Sequence, residues 1–195
     1  LKQEASFDIQ FSLIDYDGSM SYARAYLVGL LNTLLVSFIG IILSTLLGAV
    51  IGVARLSPNY LINKTASFYI EFFRNIPLIV QMFFIYFSFT LTDTFPWLET
   101  FGEFLGLENH NEFFSALIAL ITYTSTYIAE AIRSGIQSLP KGQEEAAKTL
   151  GMNYIQTMTH IIFPQSIKIV WGPVTGQFLN LIKNSSLAMT IGVAE

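Results

Sequence analysis

No cysteine occurs in the 195 residues, so disulfides, thiol chemistry and Cys-metal sites are excluded, and the redox compartment is not legible. Charge is scarce too. Only 12% of the residues are Asp, Glu, Lys or Arg, and a net charge of -4 leaves no basic stripe for a nucleic-acid partner. The two histidines, His110 and His160, stand in different links without metal-ligand spacing, which leaves an intramembrane enzyme without a catalytic cluster. No Gly-rich phosphate loop of the Walker type is present, so any ATP hydrolysis belongs to another chain. The opening residues are polar and acidic, lack the layout of a cleavable signal and begin at Leu1 without a methionine, which predicts a piece of a longer chain.

What the sequence does have is apolar length. It is 52% hydrophobic with seventeen phenylalanines, a composition of membrane spans and not of a water-solvated globule. From Tyr26 to Ala54 the only strongly polar residue is Asn32, and the run exceeds the roughly 20 residues a helix needs to cross about 30 Å of hydrocarbon. Gly40, Ser44, Gly48 and Gly52 recur every fourth position, a ladder that lets a second helix backbone come close. Further spans are expected at about 66–92, interrupted by Pro77, at about 113–136, and at about 164–182. Gly172, Pro173 and Gly176 argue against a straight helix in the last of these.

Orientation follows from the links. Arg55 and Lys64 lie between the first two spans, and Lys141 and Lys148 between the third and fourth. Asp93, Glu99, Glu103, Glu108 and Glu112 fill the link between the second and third. Lys and Arg favour the cytoplasmic side, so the N-terminal segment 1–25 and the acidic link are expected outside, and residues 26–195 form the membrane domain. The segment from Phe7 to Leu13 alternates apolar and polar residues, which fits an extended strand or an interfacial element.

The link after the third span reads SLPKGQEEAAKTLG over 138–151. Ser138 upstream, Pro140 near the first position, Glu144 and Glu145 early and Gly151 as terminator predict a helix over about 140–150. Ala146, Ala147 and Leu150 share one face, a small apolar patch better suited to a groove in another protein than to the bilayer surface.

Glu145-Ala146-Ala147, three residues, Gly151, nine residues, then Ile161-Ile162-Phe163-Pro164 resembles the EAA loop of the permeases of bacterial binding-protein-dependent ABC importers. Glu71-Phe72-Phe73-Arg74-Asn75-Ile76-Pro77-Leu78, the stretch from Tyr127 to Gly135, and Lys183-Asn184-Ser185-Ser186-Leu187 resemble the polar amino-acid branch of that family. The resemblance, from about Tyr26 onward, implies an all-α integral membrane protein of the plasma membrane, a type I importer permease-like bundle with four spans here and a fifth beyond. It implies a coupling helix in which Glu145, Ala146, Ala147, Leu150 and Gly151 meet a separate ATP-binding subunit. It also implies a second permease subunit, an extracytoplasmic substrate-binding protein and an amino-acid substrate. This chain would hold no cofactor, with ATP and Mg on the partner.

Charges within a membrane usually face a polar interior or each other. Glu71 with Arg74, and Glu130 with Arg133, are three apart and can each meet on one helical face, as self-neutralising pairs or as lining of the transport path. Broken spans add Gln81, Gln177 and Asn180 as path candidates, and Asn184, Ser185 and Ser186 either hold a carboxylate at a helix N-terminus or cap the next helix. The rival reading, a secondary transporter driven by an ion gradient, leaves the 138–151 helix without a use.

Overall fold

The computed structural model describes residues 3–9, 11–91 and 111–192. The acidic residues Asp93 to Glu108 and His110 lie outside the described residues. The described chain is helical: α1 (Tyr22–Ala54), α2 (Tyr60–Asn75), α3 (Leu78–Leu91), α4 (Asn111–Gln137), α5 (Gly142–Thr149), α6 (Tyr154–Thr157), a π-helical turn (Met158–Ile162), α7 (Phe163–Ser185) and a 3-10 turn (Ser186–Ile191). The chain divides into two compact units, one from Leu1–Leu43, Ile76–Thr122 and Asn180–Glu195, the other from Ser44–Asn75 and Tyr123–Leu179.

In the first unit the N-terminal segment is neither a regular strand nor a free arm. A single antiparallel bridge joins Glu4 to Ser21, and Ala5 N–H donates to Met20 O at 2.8 Å. The alternation read from sequence serves burial instead: Ala5 and Ile9 pack with Ala25 and Val28 of α1. Phe11 sets its ring 4.4 Å from that of Phe113. Its carbonyl accepts a 2.9 Å hydrogen bond from Asn32 Nδ2, which gives the amide nitrogen of this fully buried side chain a partner. Nearby, Asp17 accepts from the Ser19 hydroxyl and from its backbone N–H, and these bonds hold its carboxyl below the usual carboxylate range.

The small-residue ladder of α1 packs as expected. In the second unit a Cβ on Gly48 would stand 2.8 Å from Ile128 Cβ and from Ser125 O, and one on Gly52 would stand 2.7 Å from Ala129 O, all on α4. The two backbones therefore approach as only glycine permits. Replacing Gly48 with leucine should destabilise the chain by at least about 1–3 kcal/mol, the usual cost of overpacking. Thermal unfolding in detergent measures this, and a melting temperature equal to that of the unsubstituted chain would show that α1 and α4 do not meet there.

Among the described residues, α1 and α4 are each long and apolar enough to cross a membrane unaided. The span expected at 66–92 is a bent pair: α2 and α3 turn by 100° across Ile76-Pro77. Pro77 lacks an N–H and drives Ile76 away from helical backbone, so α2 stops. Pro77 O then starts α3 by accepting from Val80 and Gln81 N–H. The span expected at 164–182 corresponds to α7, which is not among the described helices long and apolar enough to cross a membrane, and it departs from expectation in the opposite sense. α7 runs unbroken from Phe163 to Ser185 through Gly172, Pro173 and Gly176. A lone missing N–H inside a long helix is tolerated when neighbours and side chains compensate. The irregularity lies earlier, before Pro164, whose ring cannot accommodate a normal turn. The chain there widens into the π turn, with Phe163 N–H donating to Met158 O.

Candidate coupling helix and charged site

α5 occupies Gly142–Thr149, inside the range expected from its boundary residues. Its start is made differently. Ser138 Oγ bonds back to Gly135 O at 2.8 Å, Pro140 stands two residues before the helix, and Lys141 at the N-cap contributes no side-chain bond. The end is specified closely. Met152 N–H donates to Ala147 O at 3.1 Å and Gly151 N–H to Lys148 O at 3.0 Å, the paired bonds of a Schellman motif, with Gly151 at φ +76°. Only glycine holds that angle cheaply.

The expected apolar face divides in two. Ala147 is buried, with α5 packed on α6 and the π turn, whereas Ala146 and Leu150 point outward, Leu150 at 80% exposure. The reason is spacing: Ala146 and Leu150 are one i,i+4 pair, and Ala147 stands about 100° round the helix from Ala146. Tyr154 and Ile155 of α6 are also exposed. Lys148 Nζ lies 2.7 Å from Glu144, and that hydrogen bond, then the carboxylate's charge, raises the ammonium above its ordinary range. Glu145 makes no ion pair among the described residues and remains open. A pocket of about 630 Å³ opens beside the first turn of α5, lined by Leu56, Pro58, Pro140, Lys141, Glu144 and Met158 among others.

The charged candidates of the spans rearrange around a residue that spacing did not single out. Arg55, in the link between α1 and α2, pairs with Glu130 of α4, and its guanidinium also lies 4.0 Å from Glu71 of α2. Glu130 holds Arg133 as expected, at 2.9 Å, so two cations share one carboxylate, and Arg133 donates onward to Gln137. Desolvation first, then the like charges of Arg133 and Arg74, lower the Arg55 guanidinium below its ordinary value, against the pull of Glu71. The expected pair of Glu71 with Arg74 does not form. Glu71 turns to Arg55, and Arg74 places its guanidinium 4.9 Å over the ring of Tyr127.

The other path candidates scatter. Gln81 is buried at the bend and donates to Ile76 O at 2.9 Å, which satisfies a carbonyl orphaned by the end of α2. Gln177 is half-buried on α7, and Asn180 is exposed there. Ser185 is the N-cap of the 3-10 turn and Ser186 its first residue, but Ser185 makes no side-chain capping bond. They sit where α7 passes into the 3-10 turn, and their hydroxyls bond back to Ile182 O and Lys183 O, both at 2.8 Å. Among the described residues no His, Asp and Glu group could hold a metal ion, and His160 is exposed beside Thr159. Sequence reasoning missed Arg55, Tyr123 and Tyr127. The available signal was a run of six hydroxyl-bearing residues, Thr122 to Tyr127, in the middle of an otherwise apolar span.

The family described as "Binding-protein-dependent transport system inner membrane component" matches residues 44–194. The putative amino-acid ABC transporter permease protein YhdX of Escherichia coli K12 is 33% identical, over 100% of this chain and 72% of its own length. The probable glutamine ABC transporter permease protein GlnM of Bacillus subtilis 168 is 44% identical, over 83% of this chain and 68% of the relative. A solved structure described as an amino acid ABC transporter with histidines superposes with a TM-score of 0.73 at 32% identity, covering 89% of this chain and 75% of that one. The MetNI methionine ABC transporter, at 19% identity and a TM-score of 0.68, shares the fold. With its bent second span, its glycine-terminated helix after the third and a family match across most of its length, the chain belongs to the inner membrane components of binding-protein-dependent transport systems.

Proposed function

We propose that this permease imports polar amino acids across the bacterial plasma membrane, with its N-terminal segment outside. A soluble binding protein delivers the solute, a second permease copy or close relative completes the path, and a separate subunit hydrolyses ATP and carries the Mg. Relatives named for amino-acid, glutamine and glutamate/aspartate transport support the substrate class. The single observation that carries the coupling role is α5, a short helix closed by a Schellman motif at Gly151, held on one side by Ala147 and presenting Ala146 and Leu150 on the other. Alanines let a partner's backbone close in, Glu145 is free to meet a partner's cations, and the packing of α5 on α6 and the π turn gives a displacement of α5 a route toward α7. An ion-gradient-driven transporter has no need of such an element.

The test is uptake of radiolabelled L-glutamine, L-glutamate and L-arginine into proteoliposomes holding this subunit, its ATPase and its binding protein. Uptake of at least one that requires ATP and both partners is the expected outcome. Uptake driven by an imposed ion gradient without the ATPase would overturn the reading.

A further inference from the structure

α4 has 27 residues and is therefore about 40 Å long, and the run Thr122-Tyr123-Thr124-Ser125-Thr126-Tyr127 lies about halfway along it. Several of these hydroxyls are used internally. Thr122 donates to Ile118 O at 2.8 Å, Thr126 to Tyr123 O at 2.7 Å, and Ser125 pairs with Tyr69 of α2 at 3.0 Å. The two tyrosines of the run differ. Their rings are 4.9 Å apart, one turn along the helix, and Tyr127 donates its hydroxyl hydrogen to the Tyr123 oxygen at 3.0 Å, which leaves the Tyr123 hydrogen for another acceptor.

Arg74 completes the arrangement from α2. It is exposed, its guanidinium is stacked on Tyr127, and no carboxylate lies within ion-pair distance of it among the described residues. The neighbouring charges do not neutralise it, because among the described residues Arg55, Arg133 and Arg74 stand against Glu130 and Glu71. A surplus guanidinium at that depth cannot face lipid and calls for an anion. Stacking on a ring presents the edge of the guanidinium, whose forked N–H groups match a planar carboxylate. A neutral phenol one turn away adds one donor and no charge, which suits a monoanion.

We propose that Arg74 and the Tyr123 hydroxyl together bind the carboxylate of the transported solute, with Tyr127 positioning both. This inference rests on the importer reading above and names the group by which the solute is recognised. It requires a solute with a free carboxylate, whatever its side chain.

The test uses the assembled transporter in proteoliposomes, with L-glutamine and its C-terminal primary amide as probes competing for ATP-driven uptake of labelled L-glutamine. Binding of labelled L-glutamine to the detergent-solubilised assembly without its binding protein is measured beside it. The unsubstituted transporter should prefer the free acid at least tenfold. Arg74→Gln should remove that preference and weaken binding of the acid at least tenfold. Arg74→Lys should keep a reduced preference, because the charge remains, and Tyr123→Phe should raise KM more than it lowers kcat. An acid-over-amide preference that survives Arg74→Gln, or equal losses for acid and amide, would overturn the assignment while leaving the importer reading standing. Failure of the unsubstituted assembly to take up any amino acid with ATP would instead remove the importer reading, and the carboxylate site with it.

Discussion

Gly151→Pro should abolish ATP-driven uptake while leaving the membrane spans folded. Proline cannot reach the φ of +76° that Gly151 adopts, and it deletes the N–H that bonds to Lys148 O at 3.0 Å. It also pushes Leu150 toward extended backbone at the C-cap of the helix. A cost of about 3 kcal/mol or more corresponds to a factor of more than about one hundred in the population of the closed helix end. α5 has eight residues and no side-chain N-cap bond, so it has little reserve against such a loss. Gly151→Ala separates conformation from crowding: a Cβ at Gly151 would meet nothing within 4 Å, so the penalty is the left-handed backbone alone, about 1–2 kcal/mol. Uptake, retention of the ATPase on purification and thermal unfolding should therefore diverge. Proline should abolish the first, weaken the second and barely move the third, with alanine intermediate. Full uptake by the proline variant would remove α5 from the coupling role.

The features legible in the sequence were those set by one-dimensional pattern. α1 and α4 are continuous apolar runs of sufficient length, Gly151 follows a periodic stretch, and the Gly40 to Gly52 ladder has a spacing that serves only close packing. What was not legible depended on partners distant in sequence. The i,i+3 spacing of Glu71 and Arg74 allows a pair, but Arg55 arrives from a neighbouring link and draws Glu71 away, while Tyr127 stacks beneath Arg74. Pro77 and Pro173 look alike as letters. The first ends a helix, and Gln81 satisfies the freed Ile76 O by donating to it, whereas the second sits within an intact α7. The hydroxyl run of α4 escaped notice because threonine and tyrosine lower hydropathy only slightly, so an average over the span hides six consecutive polar groups.

Glu130→Leu should destabilise the chain by roughly 3 kcal/mol, toward the low end of the range for breaking a buried pair, because about a fifth to a quarter of each partner side chain still meets solvent. The loss arises less from the missing attraction than from what remains: Arg55 and Arg133 both depend on the one carboxylate, and without it two guanidiniums face each other with only Glu71, 4.0 Å from Arg55, to offset them. Burial and the charge of Arg133 already disfavour the charged form of Arg55, so it is costly to leave unpaired. If that account holds, adding Arg55→Met and Arg133→Met to Glu130→Leu should restore most of the lost stability, since an apolar triad of similar volume owes no desolvation. Thermal unfolding in detergent at low and high salt reads both effects. A single variant that melts with the unsubstituted chain, or a triple variant less stable than the single one, would show that α1, α2 and α4 are held together by apolar packing alone. Uptake should not recover in the triple variant even when stability does, if the cluster also sets the charge balance beside Arg74 that an anionic solute completes.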